Sequence, residues 1–469
     1  MSAKGKDLEN YYNKKRMEDA RRANALAEEF AVREQWTRTE LLYYQQRQLD
    51  SLVRYAVKHS PFYKELYRSV PMDGPVAIET LPVIDKRMIL DNFDRVVTDA
   101  RLNLDQLYDY IDKLSHDDYH RGEYRVLTTS GSTGLKGIFI FDRDAWIRIL
   151  ASMNRAASMM GLSPLKRMRI ASVGANSPLH LSYRRAVSMD FGLHDYCRLD
   201  ASQRINDLVR ELNAFQPEYL HTYSSVASLL AIEQKAGRLK IQPNVIITSA
   251  ELLTDTMGET IRKAWNVAPF KLYSTTEGML GIECSHHTGI HIFEDLGIIE
   301  VVDENNKPVP DGSPGMKILF TNLYQYTQPV IRYEISDMIT ISSEVCPCGR
   351  TFRRIIAIEG RNDDILYLEG LEEKSVALPP FVFHGVIALF SDIMEYQIIY
   401  RDDGLHFRFV LWEKSRREET CLKFRDKLRN ELETLQVKCP PIHIKFVNHI
   451  ERDPRKMGKI KLVINDRKR

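Results

Sequence analysis

The chain has 469 residues, 43% of them hydrophobic, which is enough to bury large cores and long enough to expect two or three domains. Its 66 basic and 64 acidic residues leave a formal net charge of +2, so bulk charge points to neither nucleic acid nor membrane as a partner. The charged start MSAKGKDLENYYNKKR carries no signal-peptide pattern, no apolar run approaches a bilayer span, and six cysteines fit free thiols or a metal site better than a disulfide framework; a cytoplasmic protein is expected.

Residues 1–57 read as one long helix or two, with apolar positions at helical spacing at Leu41, Leu42, Leu49, Leu52, Val53 and Ala56. Such a face serves either a homodimer or partner surface, or the core of its own domain. Apolar runs at 168–173, 245–249 and 270–273, separated by helical periods, predict strands alternating with helices, hence α/β layers. From Glu283 onward the pattern turns to hairpins, with runs at 297–303 and 316–320 flanking a turn-rich segment. A boundary is expected near Gly360, dividing the chain into an N-terminal helical segment (1–57), a large domain (58–360) and a small C-terminal domain (361–469). In the last of these the pattern predicts a strand at 365–368, a helix over 380–390, a hairpin over 396–412 turning at Asp402-Asp403-Gly404, a helix over 415–435 and a strand at 442–447.

The chemistry concentrates in LTTSGSTGLKGIFIF, residues 127–141. Thr128, Thr129, Ser130, Gly131, Ser132, Thr133 and Gly134 can turn backbone N–H groups and hydroxyls toward an anion, and the glycines admit close approach of the backbone. That is a phosphate cradle or, for an isolated cluster, a polar hairpin loop. It is not the Walker form, because the G-x-x-x-x-G-K-[ST] spacing is absent. Further along come Tyr273-Ser274-Thr275-Thr276-Glu277, Tyr333-Glu334-Ile335-Ser336-Asp337, Gly360-Arg361-Asn362-Asp363-Asp364 and Gly458-Lys459. In this order the segments resemble the phosphate loop and the Y-G-x-T-E, Y-R-T-G-D, G-R-x-D-D and terminal G-K segments of the adenylate-forming superfamily. Ser60-Pro61-Phe62-Tyr63, Ser249-Ala250-Glu251, Gly289-Ile290-His291-Ile292 and Cys346-Pro347-Cys348-Gly349-Arg350 are similar to the phenylacetate-CoA ligase and CapK-like branch.

The resemblance implies an α/β fold: a large N-terminal domain of layered sheets with a β-rich part, and a small mobile C-terminal α+β lid. It implies ATP and Mg²⁺ as cofactors and activation of a carboxylic acid, an aromatic one on the nearest branch, as an acyl-adenylate. The loop through Gly134 would hold the β- and γ-phosphates. Thr276 and Glu277 would be catalytic, Glu277 on the Mg²⁺ side, with Tyr273, Ser274 and Thr275 beside the nucleotide. Ser249, Ala250 and Glu251 match the adenine-holding segment, Asp337 the ribose carboxylate and Arg361 a second ribose or phosphate contact. Lys459 matches the mobile lysine that bridges the substrate carboxylate and the α-phosphate, and Asp363 the hinge.

Two departures stand out. Glu334, Ile335 and Ser336 replace the usual Arg, Thr and Gly before Asp337, and the segment YLEGLEEKSVALPP from Tyr367 keeps little of the G-x-N-x-F-P pattern near the thiol acceptor. The acceptor is therefore open between CoA, an amine and a carrier protein, and a non-catalytic nucleotide-binding member of the fold is the alternative to an enzyme. Cys284 with His291 on one hairpin and Cys346 with Cys348 on another offer the four N/S donors of a closed, structural Zn²⁺ site, with His286 or His287 as substitutes for His291.

Overall fold

A computed structural model describes residues 3–129, 137–162, 166–190, 192–361, 364–372, 374–378, 380–390, 392–411, 417–451 and 460–467. The chain opens with helices α1 (Ala3–Arg33) and α2 (Arg38–His59). Thr37 caps α2: its hydroxyl accepts from Glu40 N while the Glu40 carboxylate accepts from Thr37 N, which satisfies two amides that the first turn leaves free. The apolar stripe read from the sequence is the buried face. Leu41, Leu49, Leu52, Val53 and Ala56 are enclosed and Leu42 faces solvent. Leu49, Leu52, Val53 and Ala56 join the main core together with Ala23 and Phe30 of α1, so both helices pack on the large unit and α2 runs without a break across position 57.

Four short helices follow, α3 (Pro61–Leu66), α4 (Lys86–Asp91), α5 (Phe93–Val96) and α6 (Leu104–Lys113). They lead to a fully buried antiparallel pair, β1 (Arg125–Thr128) and β2 (Ile138–Phe141), and then to α7 (Arg143–Met159), which lies against α1. The predicted alternation comes next: β3 (Arg169–Gly174), α8 (Leu181–Met189), β4 (Asp195–Asp200), α9 (Ile205–Phe215), β5 (Tyr219–Tyr223), α10 (Ser224–Lys235), β6 (Val245–Ser249), α11 (Asp255–Trp265) and β7 (Phe270–Thr275). The five strands are mutually parallel, in the order β7-β6-β5-β3-β4. Helices cover such a sheet on both faces, which is why VIITS of β6 is an unbroken buried run rather than an alternating one.

The sheet then continues antiparallel through β8 (Gly278–Glu283) and β9 (Ile290–Ile292) to β14 (Arg354–Arg361) and β13 (Asp337–Ile341), nine strands in all. A second, three-stranded sheet holds β10 (Gly297–Val302), β11 (Lys317–Asn322) and β12 (Tyr333–Ile335).

After Arg361 the chain builds a separate core. A hairpin, β15 (Leu366–Glu369) with β16 (Ser375–Leu378), and helix α12 (Pro380–Ala388) precede β17 (Ile393–Arg401), β18 (Gly404–Leu411), α13 (Arg417–Thr434), β19 (Ile442–Phe446) and β20 (Val463–Asn465). The four-stranded sheet β19-β18-β17-β20 buries Phe407 and Phe409 against Phe383 of α12 and Phe424 of α13. Gly360, near the end of β14, sits at φ +116° with Pro380 3.1 Å from an ideal Cβ, so a larger residue there would be strained and tightly packed. Among the described residues no helix is long and apolar enough to cross a membrane.

Candidate active site

The C-terminal ends of β5, β6 and β7 meet β1, β12 and β13 around a cavity of about 1490 Å³, with Ile460 to Val463 and Tyr396 of the small unit on its far side. Parallel strands aim the free N–H groups of the following turns and helices outward at that edge, which is where open α/β sheets hold ligands.

Asp337 opens β13 and Arg361 closes β14, and the antiparallel register sets the two opposite each other. The Tyr273 hydroxyl, arriving from β7, donates to Asp337 Oδ2 at 2.6 Å, and Arg361 Nε donates to Oδ1 at 3.2 Å. Burial, and then the facing carboxylate, push the Tyr273 hydroxyl well above its ordinary pKa, so it stays a donor. The carboxylate is thus held at a fixed angle at the cavity edge, where it can accept further hydrogen bonds from vicinal hydroxyls.

The turn after β7 carries Thr275, Thr276 and Glu277 along the cavity. Among the described residues Thr275 Oγ1 is buried without a hydrogen-bond partner, and Glu277 is 7% exposed, anchored through its carbonyl by Asn322 Nδ2 at 2.8 Å. Tyr333 faces the Glu277 carboxylate; burial first and that charge second raise its hydroxyl pKa. Among the described residues Glu277 and Tyr333 face each other at the cavity wall, and a carboxylate there suits a divalent cation that keeps water and phosphate oxygens as its other ligands. On the other side, Thr129 N donates to Gly137 O at 3.0 Å and Gly137 N to Thr129 Oγ1 at 2.8 Å, which closes the neck of the hydroxyl-rich loop. Ser130, Gly131, Ser132, Thr133 and Gly134 lie outside the described residues, as do Asp363 and Lys459.

Ser249, Ala250 and Glu251 follow β6 into the same cavity. Ala250 sits at φ +65°, a left-handed conformation that costs a non-glycine residue about 1 kcal/mol or more and is kept where a turn must re-aim the chain. The Glu251 carboxylate accepts from Ser225 N at 3.0 Å and, across the cavity, from Ile460 N at 2.8 Å. Glu251 therefore braces the small unit against the large one, immediately beside Lys459 in the chain. Lys461 adds an ion pair to Asp364 at 2.9 Å, tying the same segment to the stretch after Arg361.

A second constellation lies away from the cavity. Cys284, His291, Cys346 and Cys348 bring their ligand atoms within 4.8 Å of one another, from the β8–β9 hairpin and the β13–β14 turn. Cys284 Sγ is 3.8 Å from Cys346 Sγ and Cys348 Sγ is 3.3 Å from His291 Nε2. The other ring nitrogen, Nδ1, lies 3.0 Å from Phe352 O, the outer hydrogen bond that fixes a ligating tautomer. His287 turns instead toward Glu283, 3.4 Å away. Two thiols, a third beside an imidazole and a supporting carbonyl make a tetrahedral N/S donor set that fits Zn²⁺. About one zinc per chain is expected by elemental analysis, and Cys346→Ser should lose both the metal and several degrees of melting temperature, because structural zinc binding is coupled to folding. Metal-free protein that melts at the temperature of the metal-loaded protein would refute the site.

No protein-family model matches the chain. Protein CapK of Staphylococcus aureus is 24% identical over 440 residues, 91% of this chain and 90% of that protein. Phenylacetate-coenzyme A ligase of Thermus thermophilus is 30% identical over 201 residues, 40% of this chain and 43% of that ligase, so this match spans under half of either protein. 2-Hydroxyisobutyryl-CoA ligase in the postadenylation state, with R3-HIB-AMP bound, superposes with a TM-score of 0.72 at 19% identity, over 92% of this chain and 91% of that one. The chain has the fold of the adenylate-forming ligases. In sequence it is similar to CapK and to the phenylacetate-CoA ligases. The same 2-hydroxyisobutyryl-CoA ligase in its thioesterification state, with 2-HIB-AMP and CoA, superposes less well, with a TM-score of 0.58 at 20% identity over 93% of this chain and 91% of that one.

In this chain the fold gathers Thr129, Ser249, Ala250, Glu251, Tyr273, Ser274, Thr275, Thr276, Glu277, Asp337 and Arg361 around one cavity. Sequence reasoning passed over Arg185, His384 and Tyr396, which line it too, and named Tyr333 only as the start of the segment that ends at Asp337. Arg185 and Tyr396 stand in runs that read as ordinary helix and strand, and nothing in the spacing marks them as facing a cavity.

Proposed function

We propose that this adenylate-forming ligase joins ATP and a carboxylic acid into an acyl-adenylate, releasing pyrophosphate, and then passes the acyl group to a thiol acceptor, CoA. The observation that carries this reading is the Tyr273–Asp337–Arg361 set on the same cavity edge as Glu277, closed by the Glu251–Ile460 contact that brings the chain next to Lys459 to the cavity. Asp337 would accept from the ribose hydroxyls and Arg361 would neutralise it or reach a phosphate. Thr129 and the loop beyond it would hold the β- and γ-phosphates, and Lys459 would bridge the acid's carboxylate and the α-phosphate. Mg²⁺, held by Glu277, would supply charge neutralisation on the phosphates. These groups position and stabilise rather than react, which is what a displacement at phosphorus needs.

We place the acid at the end of the cavity lined by His180 and Tyr223, where the wall mixes aromatic and polar groups as ligand pockets do, and their rings support an aromatic acid. A relative crystallised with CoA and an acyl-adenylate together supports CoA as the acceptor over an amine or a carrier protein.

Asp337→Asn should raise the KM for ATP by roughly tenfold to a hundredfold, the value of a charged hydrogen bond, and Tyr273→Phe by less, because the carboxylate survives. If both variants keep the wild-type KM, the ribose is not held here.

A further inference from the structure

Among the described residues seven arginines are buried: Arg33, Arg125, Arg155, Arg184, Arg185, Arg332 and Arg354. Five of them pair with carboxylates: Arg33 and Arg155 with Asp295, Arg125 and Arg184 with Asp117, and Arg332 with Glu300. Arg354 spends its guanidinium on the carbonyls of Thr288 and Glu344. Arg185 has neither. It is 5% exposed, and its hydrogen bonds run to Met153 Sδ at 3.4 Å and to the His221 ring, 3.0 Å from Nδ1. His221 in turn lies 2.9 Å from Ser249 Oγ. Burial, and then Arg185 itself, hold the His221 imidazole far below its ordinary pKa, so the histidine is neutral; Tyr196 and Tyr219, the other groups that feel the guanidinium, are kept protonated by burial. Burial pushes Arg185 down as well. The wall therefore carries a positive charge that no described residue cancels.

Position turns this cost into a prediction about substrate. Arg185 borders the cavity beside His180, Ser182, Tyr223 and Ser249, the end where the acid is placed by the reading above, on which this inference rests. A buried guanidinium without a counter-charge is disfavoured by several kcal/mol, and an anionic ligand group seated against it removes that penalty while gaining a charged hydrogen bond. We propose that Arg185, oriented by His221, binds a second carboxylate of the substrate, so that this ligase activates dicarboxylic acids, one carboxylate going to the α-phosphate and the other to Arg185. Arg185 is a specificity-determining residue and takes no part in the displacement.

The test is acid-dependent ATP–pyrophosphate exchange with matched pairs, 4-methylbenzoate against terephthalate and pentanoate against glutarate, in wild type, Arg185→Met and Arg185→Lys. Thermal shift with each acid alone, without nucleotide, gives a readout independent of turnover. In at least one pair the wild type is expected to favour the diacid by about a hundredfold in kcat/KM, with the ratio collapsing by roughly fiftyfold in Arg185→Met and partly restored in Arg185→Lys, as for a pocket built around a polar group. The diacid, and not its partner, should raise the melting temperature of wild type but not of Arg185→Met. A wild type that favours the monoacid in both pairs, or an equal loss for both acids caused by a raised KM for ATP, which would make the anion a nucleotide phosphate, overturns the proposal. Should Arg185→Met not fold, the wild-type ratio and Arg185→Lys decide. Absence of exchange with every acid would fail the adenylation reading, whereas the thermal shift would still support or refute the diacid site.

Discussion

Lys459→Ala should slow adenylation of the acid about a thousandfold, a loss of about 4 kcal/mol of transition-state stabilisation, while transfer from a chemically supplied acyl-adenylate to the acceptor continues. The expectation follows from what a lysine offers: a compact charge that stabilises the pentacovalent phosphorus only when the small unit presents it to the α-phosphate. Its neighbour Ile460 is held at the cavity by Glu251, and Lys461 by Asp364, so the adjoining segment already faces the site. Asp363, the proposed hinge, lies one residue before that ion pair's Asp364. Asp363→Pro, by fixing φ where rotation would need it free, should trap one arrangement and damage one half-reaction more than the other. Both half-reactions measured for both variants decide the matter: equal damage to adenylation and transfer in Lys459→Ala would make the lysine structural.

Glu277→Gln should lower acid-dependent pyrophosphate exchange by roughly a hundredfold to a thousandfold with an unchanged melting curve, and extra Mg²⁺ should restore part of the rate. The substitution is nearly isosteric and keeps the carbonyl that accepts from Asn322, so the turn after β7 should stand. What it removes is the negative charge facing Tyr333 and the cavity. In the variant the Tyr333 hydroxyl should also titrate lower than in wild type, since that charge helps to raise it. Exchange at the wild-type rate would mean the divalent cation is held elsewhere.

Most of the architecture was legible because each element advertised its period. Unbroken apolar runs gave the buried parallel strands, with β6 ending at Ser249 as read, and the stripe from Leu41 to Ala56 gave the inward face of α2. The last strand, β20, was not read: it has three residues and owes its existence to pairing with Ile398 to Tyr400 of β17, a tertiary fact without local signature. Likewise α2 crosses position 57, because its continuation to His59 is decided by packing in the large core and by Ser60, which both receives the end of α2 and caps α3.

In the candidate site, the residues sequence could single out were those in glycine- and hydroxyl-rich turns at strand ends, Ser249 to Glu251 and Tyr273 to Glu277, and the Asp337–Arg361 pair, which is far apart in sequence but opposite in register. The use made of Glu251 was not legible; its segment resembled an adenine site, and the structure commits the carboxylate to two backbone amides. Arg185 was invisible for a different reason. It follows Arg184 directly, and only the fold distinguishes them, giving Arg184 the Asp117 carboxylate and leaving Arg185 against the cavity. The metal cluster was legible as a donor count, and the choice of His291 over His286 and His287 needed the geometry.

The central claim is that this cavity makes an acyl-adenylate, and acid-dependent exchange of labelled pyrophosphate into ATP reads that step alone, with no acceptor present. The account predicts exchange that requires Mg²⁺ and a carboxylic acid, is strongest with a diacid, and at subsaturating ATP falls roughly tenfold to a hundredfold in Asp337→Asn and roughly a hundredfold to a thousandfold in Glu277→Gln. ATP binding with no exchange under any acid, by protein that melts as a folded chain, would contradict it and make this a nucleotide-binding member of the fold without turnover.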